Sequence, residues 1–401
     1  MKWPLRKAKD LCILAVDCVN KTAPTVEYET PYMMIRTTNV KSGFVYLDAV
    51  RYVTEETFNE WTRRSRPVSG DVVLTREAPL GEVGRFTSSD ENVFLGQRLF
   101  HYRPNPALLD WNYLAYVLQS REIQGKIRGM GFGATVEHIK VGDAENLEIP
   151  CPPIAVQRKI GDTLSAYDDL IENNRRRIQL LEESARLLYK EWFVHLRFPG
   201  HEHVKVTAGV PQGWERRPLS DIAEVNRDSL RGRHEGEILY IDIASVTPHS
   251  INEATAYRFA DAPGRARRIV QHGDILWSCV RPNRRSHAVV WKPAPHTIAS
   301  TGFAVITPRT LPTSYLYQAV TTNEFVGYLT SNARGVAYPA VTAPDFEKAM
   351  IVVPPTTLAR EFDEYCAPLI DQAQLLAQQN AKLTRARDLL LPRLMSGELA
   401  A

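Results

Sequence analysis

The chain has 401 residues, more than one hydrophobic core usually holds, so two domains with connecting segments are expected. Its net charge of +3 at pH 7 excludes neither nucleic-acid nor protein partners, because local clusters of arginine matter more than the sum. The five cysteines lack the short paired spacings of a zinc site, which predicts reduced thiols, a cytosolic protein and no structural metal. No stretch approaches the roughly 18 apolar residues of a membrane span, so no contact with a membrane is expected.

Residues 1–152 mix short β-type runs, such as Val72-Val73-Leu74, with turn clusters and one helical patch between Trp111 and Gln124. This mixture predicts an α+β domain. Between Ile154 and Phe198 there is no proline and a single glycine, which predicts one long helix, or two consecutive helices, over residues 153–198.

The predicted helix carries a heptad pattern. Its apolar residues recur every seven positions at Ile171, Ile178, Ala185 and Trp192, and Leu181 and Leu188 fall three positions later in the same heptads. Such a stripe needs a partner helix.

Residues 199–213 are interpreted as a linker, 214–355 as a second α+β domain and 356–401 as a second long helix. Leucines at 369, 376, 383 and 390 form a matching stripe, interrupted by the polar Asn380 and Arg387. Pro368 is expected at a helix start and Pro392 near its end. Pairing between the two helices is favoured, and the alternative is that each packs only on its own domain.

The two halves of the chain form an internal repeat. The segment Ile149-Pro150-Cys151-Pro152-Pro153 corresponds to Ile351-Val352-Val353-Pro354-Pro355, an offset of 351 − 149 = 202 that also pairs Tyr113-Leu114 with Tyr315-Leu316. Nearer the start of each half the offset drifts, and Gly70-Asp71 corresponds to Gly273-Asp274. Insertions in loops explain the drift, so the sequence predicts two copies of one domain.

Motifs for catalysis are missing from the sequence. It contains no phosphate-binding loop, no dinucleotide-binding glycine pattern after a strand, and no Asp/Asn-Pro-Pro-aromatic tetrad of the kind amino-methyltransferases use. His201 and His203 lie in the linker without further metal ligands. The chain is therefore predicted to be non-catalytic and to bind no cofactor itself.

Polar residues suited to DNA follow turn or strand-end signals at matching places in both halves. Arginine can donate two hydrogen bonds to guanine, and asparagine or glutamine can form two with adenine. Lysine and small hydroxyl side chains tend to contact phosphate instead. The predicted DNA-contacting residues are Thr38, Asn39, Lys41, Arg76, Gln97, Arg98 and Thr135 in the first half, and Ser245, Arg281, Asn283, Arg284, Arg285, Arg334 and Tyr338 in the second.

Taken together, these patterns resemble the specificity subunit of type I restriction-modification enzymes. The resemblance covers the whole chain: the Trp-x₆-Asp-Leu/Ile opening of each half, the Gly-Asp-hydrophobic strands, the Ile-x-x-Pro-Pro closes and the Leu389 to Leu399 ending. Gln157-Arg158 also fits, although Ala359 replaces the glutamine in the second half.

The resemblance implies two target-recognition domains, each binding half of a bipartite, asymmetric DNA site, separated by two antiparallel, coiled-coil-like helices. It also implies two methyltransferase subunits that carry S-adenosylmethionine, and restriction subunits that use ATP and Mg²⁺, in a bacterial or archaeal cytoplasm. Tyr189, Trp192 and Phe193 are predicted to lie on an outer helix face where such partners dock. A helix of about 25 residues is roughly 37 Å long, near one turn of B-DNA, so its length could set the gap between half-sites.

Two other interpretations remain open. One is a protein-interaction scaffold whose duplicated domains bind protein, which would form complexes insensitive to salt. The other is a self-sufficient methyltransferase, against which the missing tetrad counts.

Overall fold

The computed structural model describes residues 3–88, 92–133, 137–207, 209–230, 232 and 236–399. Thr135, one of the predicted DNA-contacting residues, lies outside them.

The first half forms short strands and helices, as predicted. Its strands are β1 (Leu5–Lys7), β2 (Cys12–Asp17), β3 (Met33–Ile35), β4 (Val40–Lys41), β5 (Gly43–Val45), β6 (Arg51–Tyr52), β7 (Val72–Thr75), β8 (Val83–Arg85), β9 (Val93–Leu95), β10 (Leu99–Pro104) and β11 (Glu148–Pro150). Its helices are α1 (Glu55–Trp61), α2 (Trp111–Gln119), α3 (Arg121–Met130) and α4 (Val141–Glu145). The long helix α5 (Ile154–Tyr189) follows and continues into a π-helical turn at Lys190–Val194.

The second half repeats this plan. Its strands are β12 (Val206–Thr207), β13 (Val210–Pro211), β14 (Glu215–Pro218), β15 (Ala223–Val225), β16 (Glu237–Ile241), β17 (Val246–Thr247), β18 (Ser250–Ile251), β19 (Thr255–Arg258), β20 (Ala266–Ile269), β21 (Ile275–Ser278), β22 (His287–Val289), β23 (Thr297–Ser300), β24 (Phe303–Pro308) and β25 (Met350–Val353). Its helices are α6 (Leu219–Ile222), α7 (Thr313–Ala319), α8 (Asn323–Asn332), α9 (Ala343–Glu347) and the long α10 (Thr356–Met395).

The two halves share their strand order. In the first half β2-β10-β7-β8 are neighbours in one sheet, and β15-β24-β21-β22 repeat that order in the second. The parallel pair β3 and β9 likewise recurs as β16 and β23. The predicted α+β class and internal duplication are confirmed at the level of topology.

The Gly-Asp motif marks a tight turn before a central strand in each half. Gly70 and Gly273 have φ angles of +91° and +87°, which side chains rarely adopt. The following aspartates then accept a hydrogen bond from a backbone amide three residues back, Asp71 from Val68 and Asp274 from Gln271, each at 2.7 Å. The motif recurs because the same turn leads into β7 and β21.

The chain divides into two compact units, Met1–Asn173 with Gln379–Ala401 and Asn174–Gln378. The unit boundaries cut both long helices, so each unit contains one domain together with part of α5 and part of α10. In the first unit, Leu394 and Met395 at the end of α10 join the core of the first domain. The helices are thus part of each domain's core as well as connecting segments.

The two long helices pair with each other in both units. In the first, the Asn380 Nδ2 donates to the Ile171 carbonyl at 3.1 Å, and Arg387 pairs with Asp168. In the second, Phe362 lies against Tyr189, with ring centroids 6.0 Å apart. Within the first unit, earlier positions of α5 meet later positions of α10, so the pairing is antiparallel. Packing of each helix on its own domain alone is excluded.

One of the two expectations about proline is wrong. Pro368 lies well inside α10, which starts at Thr356, whereas Pro392 lies near the end of the helix at Met395, as predicted. An interior proline costs roughly 3 kcal/mol by removing a backbone hydrogen bond. Buried contacts at Phe362, Cys366 and Leu376 on the same helix outweigh that cost.

The predicted exposure of three aromatic residues is also wrong. Tyr189, Trp192 and Phe193 are only 7 %, 7 % and 6 % exposed and lie in the core of the second unit. The Phe193 ring contacts Tyr315 and Trp214 of that domain at centroid distances of 4.7 and 5.7 Å. These side chains hold the end of α5 against the second domain and offer no outer face to a partner.

None of the described helices combines the length and the apolar character needed to cross a bilayer. The five cysteines form no disulfide. In the described ranges, histidine, cysteine and carboxylate side chains form no group of three or more that could hold a metal ion.

Candidate nucleic-acid interface

Three segments that carry predicted DNA-contacting residues in the first half, residues 37–43, 76–81 and 96–98, converge in space. The Thr37 hydroxyl donates to the Ala78 carbonyl at 2.9 Å, which joins the first segment to the second. The Arg76 amide donates to the Arg98 carbonyl at 2.8 Å, and the Ile139 amide donates to the Arg76 carbonyl at 3.1 Å. The loop containing Arg76 therefore lies at the centre of the group.

The corresponding segments of the second half are residues 243–249, 279–285, 300–302 and 333–338, and they converge as well. The Cys279 amide donates to the Gly302 carbonyl at 2.8 Å, and the Arg281 amide donates to the Pro339 carbonyl at 2.7 Å. The first segment lies beside them, because the His249 amide donates at 2.8 Å to the carbonyl of His287 in β22, the strand that follows the second segment. The described residues thus bring three loops together in the first domain and four in the second, at equivalent places on a shared strand order.

Arg281 and Tyr338 form the centre of the second-half loop group. The guanidinium carbon lies 4.9 Å from the Tyr338 ring centroid, and the Arg281 Nη2 donates to the Ala337 carbonyl at 3.3 Å. Tyr338 is 71 % exposed. Stacking fixes the plane of the guanidinium, which pre-organises an arginine for forked recognition of a base or phosphate.

Other second-half candidates surround this stack. Asn283 and Arg284 are exposed, and Arg285 donates to Asn323 Oδ1 at 2.5 Å. The Arg334 side chain is 79 % exposed and lies 3.8 Å from Asp345. Hydrogen bonds donated by Thr342 keep the pKa of the Asp345 carboxyl below its ordinary value. A loose exposed contact of this kind is worth little, so Arg334 can turn to a polyanion at small cost.

In the first half, the exposed candidates are fewer. Thr38 and Lys41 are exposed, with the Lys41 ammonium 5.1 Å from the Tyr46 ring centroid. Arg98 is 45 % exposed and paired with Glu77 at 2.6 Å. Gln97 is half-buried and accepts a hydrogen bond from the Thr22 hydroxyl at 3.2 Å.

Three candidates are occupied in shaping loops. Asn39 is 3 % exposed; its amide accepts from the Arg36 backbone and donates to the Tyr46 and Asp48 carbonyls. The half-buried Arg76 donates to the Ile139 carbonyl at 3.2 Å, and Ser245 donates to the Asp242 carbonyl at 2.8 Å. Asn39 was predicted to contact DNA, but its side chain is buried and the hydrogen bonds of its amide go to backbone groups of its own loop.

The sequence reading missed a basic residue beside the third segment. The Thr301 amide donates to the Arg265 carbonyl at 2.8 Å, which places the exposed Arg265 next to Ser300 and Gly302. The basic run Gly264-Arg265-Ala266-Arg267-Arg268 is the signal that could have found it. In the first half the exposed Phe132 was also missed; Lys140 lies 5.1 Å from its ring centroid.

A buried group of neutral polar rings anchors the second-half loops. The Tyr317 hydroxyl lies 2.8 Å from His249 Nδ1 and 3.1 Å from His287 Nδ1. Burial is the main cause that lowers the pKa of His249 to about 4 and that of His287 to about 3. Both imidazoles are therefore uncharged at neutral pH, and they hold the segment around Ser245 in place.

The duplicated α+β chain and the polar, arginine-bearing loops at equivalent places are the features that the resemblance predicts. Residues 1–183 match the family model described as the type I restriction modification DNA specificity domain. The predicted resemblance to type I specificity subunits, which are non-catalytic, is confirmed.

Relatives and a solved structure agree with this assignment. The chain is 24 % identical over 367 residues to the type I restriction enzyme MjaIX specificity subunit of Methanocaldococcus jannaschii, covering 89 % of this chain and 84 % of the relative. It is 21 % identical over 400 residues to the HindI specificity subunit of Haemophilus influenzae, covering 82 % and 86 %. The crystal structure of a type I S subunit from M. genitalium shares the fold, with a TM-score of 0.58, 18 % identity and coverage of 98 % and 96 %.

Proposed function

We propose that this chain selects a bipartite, asymmetric DNA site, with one half-site read by each copy of the domain. The observation that carries the proposal is the convergence of equivalent loops in both domains, with different sequences in each. A shared frame with unlike loops suits the reading of two different short sequences. The exposed Arg98, Arg284 and Arg334 supply the charge and the forked donors that bases and phosphates require.

Under this proposal, partner subunits carry out the chemistry. Two methyltransferase subunits would bind S-adenosylmethionine and methylate adenine, and restriction subunits would use ATP and Mg²⁺ to cleave DNA. The setting would be the cytoplasm of a bacterium or archaeon. The interpretation as a protein-interaction scaffold is disfavoured because the relatives are type I restriction enzyme specificity subunits.

Because Tyr189, Trp192 and Phe193 are buried, a different surface of α5 must dock the partner subunits. Leu180, Leu187 and Val194 are spaced by seven residues and are 63 %, 49 % and 58 % exposed. This heptad stripe, Leu180–Leu187–Val194, lies apart from the buried Ala185 and Trp192 positions of the same helix. We assign it to the docking of a methyltransferase subunit, because an apolar stripe on a long helix is expected to be covered in an assembly.

The test is a domain exchange in cells that carry this gene with its neighbours. Residues 1–152 are replaced by those of a relative, and methylated adenines are then mapped across the genome. The expected result is a split consensus in which only one half changes. A continuous consensus, or a change in both halves, would contradict the assignment of one half-site to each domain. Purified complexes should also lose DNA affinity steeply with added salt.

A further inference from the structure

The loop between α8 and α9 is a closed hairpin with an apolar tip. The Arg334 amide donates to the Ala340 carbonyl, and the Ala340 amide donates to the Arg334 carbonyl, both at 2.9 Å. Gly335 has a φ of +97°, and a side chain there would approach the Tyr338 carbonyl to 3.1 Å. The paired bonds close the hairpin, and position 335 favours glycine.

Val336 is at the tip of this hairpin and is fully exposed. Around it are cationic groups: Arg334 begins the hairpin, and Arg281 stacks on Tyr338 of the same loop. The Arg281 amide also bonds to the Pro339 carbonyl, so the hairpin and the arginine loop form one surface. An isopropyl group presented to solvent amid arginines contributes nothing to the fold of this domain.

DNA offers one apolar group on a base edge, the C5-methyl of thymine in the major groove. Small apolar side chains recognise it by contact, while neighbouring arginines bond guanine or phosphate. A protein partner would instead be expected to cover a larger apolar area with fewer charges. The Tyr338 ring stacks on Arg281 and is 71 % exposed, whereas Val336 is fully exposed at the tip and is the larger of the two aliphatic side chains there, the other being Ala337.

We infer that Val336 reads the C5-methyl group of a thymine in the half-site bound by the second domain. This inference rests on the proposed function and identifies one base of the half-site that the second domain reads. It makes Val336 a specificity-determining residue that acts by apolar contact with no hydrogen bond.

The test uses the assembled complex of this chain with its two methyltransferase subunits, and the target defined by adenine mapping. Each thymine of the second half-site is replaced in turn by uracil, which removes the methyl group and keeps base pairing. One replacement should weaken binding by the wild-type complex about fourfold, the effect of one buried carbon. In the complex that carries Val336→Ala, the same uracil replacement should weaken DNA binding by less than about twofold.

Two controls separate the possible outcomes. Val206→Ala makes the same change at an exposed valine of β12, outside the loop group, and should keep the preference for thymine. The response to uracil in the first half-site should be the same in Val336→Ala as in the wild type. A second half-site without thymine, uracil without effect at every position, or a preference that survives in Val336→Ala would overturn the inference. If the wild-type complex shows no sequence-specific binding at all, the proposed function itself fails.

Discussion

Asp168 on α5 and Arg387 on α10 form an ion pair, with Nη1 and Oδ1 2.5 Å apart. The same carboxylate accepts from Arg85 at 2.9 Å and from the Tyr116 hydroxyl at 2.5 Å. Asp168 and Arg85 are 2 % exposed and Arg387 is 21 % exposed. This buried cluster joins both long helices to β8 in the first unit. At the equivalent place in the second half the residue is Ile370, so the cluster belongs to one unit alone.

Replacing Asp168 with asparagine should lower the free energy of unfolding by about 3–5 kcal/mol. The loss arises because the buried Arg85 keeps its charge without a counter-ion. Urea unfolding measured by circular dichroism tests this. The matched control is Arg393→Gln, whose pair with Glu398 is 50 % and 61 % exposed and should be worth less than about 1 kcal/mol. Equal effects for the two variants would show that burial of the cluster is unimportant.

Glu182 should make stability depend on pH in the second unit. This side chain lies on α5 beside His249 and Tyr317, and burial raises the pKa of its carboxyl to about 7 from 4.5. Between these two pH values the unfolded chain ionises first, so the folded chain holds more protons and stability falls as pH rises. This loss of folding stability is absent below about pH 4.5 and reaches at most about 3 kcal/mol above pH 7.

Glu182→Gln should therefore melt at a higher temperature than the wild-type chain at pH 8, and the difference should shrink towards pH 5. Thermal unfolding at several pH values measures this. Glu183→Gln is the matched control, because Glu183 is 53 % exposed in a pair with Arg186 and should matter little at any of these pH values. A constant difference between Glu182→Gln and the wild type would contradict the prediction.

Arginine replacements in the two loop groups should affect separate half-sites. Arg284→Ala should weaken binding by about 1–3 kcal/mol and relax base preference only in the half-site of the second domain. Arg98→Ala should do so only in the other half-site. Binding of the assembled complex to duplexes with single base-pair changes tests both, and each variant serves as the control for the other. Uniform weakening over all duplexes would instead identify a phosphate contact.

The heptad stripe Leu180–Leu187–Val194 should be needed for assembly and dispensable for folding. Leu187→Glu should weaken binding of a methyltransferase subunit by more than about tenfold, because a charge would be buried in the interface. Its melting temperature alone should stay near that of the wild type. Trp192→Ala should do the reverse, losing about 3–5 kcal/mol of stability through a core cavity. Light scattering of mixed subunits measures assembly, and unchanged assembly in Leu187→Glu would refute the assignment.

The predicted loops show where sequence reasoning succeeds. Arg281 and Arg76 were located because each follows the strand that comes after the repeated Gly-Asp motif, which marks equivalent positions whatever the loops contain. Equivalent position in the two halves does not reveal what the Asn39 side chain bonds to. An amide can bond a base or the backbone equally well, and only the fold of its loop places the Tyr46 and Asp48 carbonyls within its reach.

The sequence by itself determined the duplication, the α+β class and the need for two long helices to pair, because repeats and heptads can be recognised without knowing which segments meet in space. Only the tertiary structure decided which helix face is covered. Trp192 and Leu187 are both apolar residues of the same helical region, yet one is buried by Phe362 and Tyr365 and the other is 49 % exposed. Periodicity fixes which residues share a face, whereas burial depends on contacts with residues more than 150 positions away in the chain.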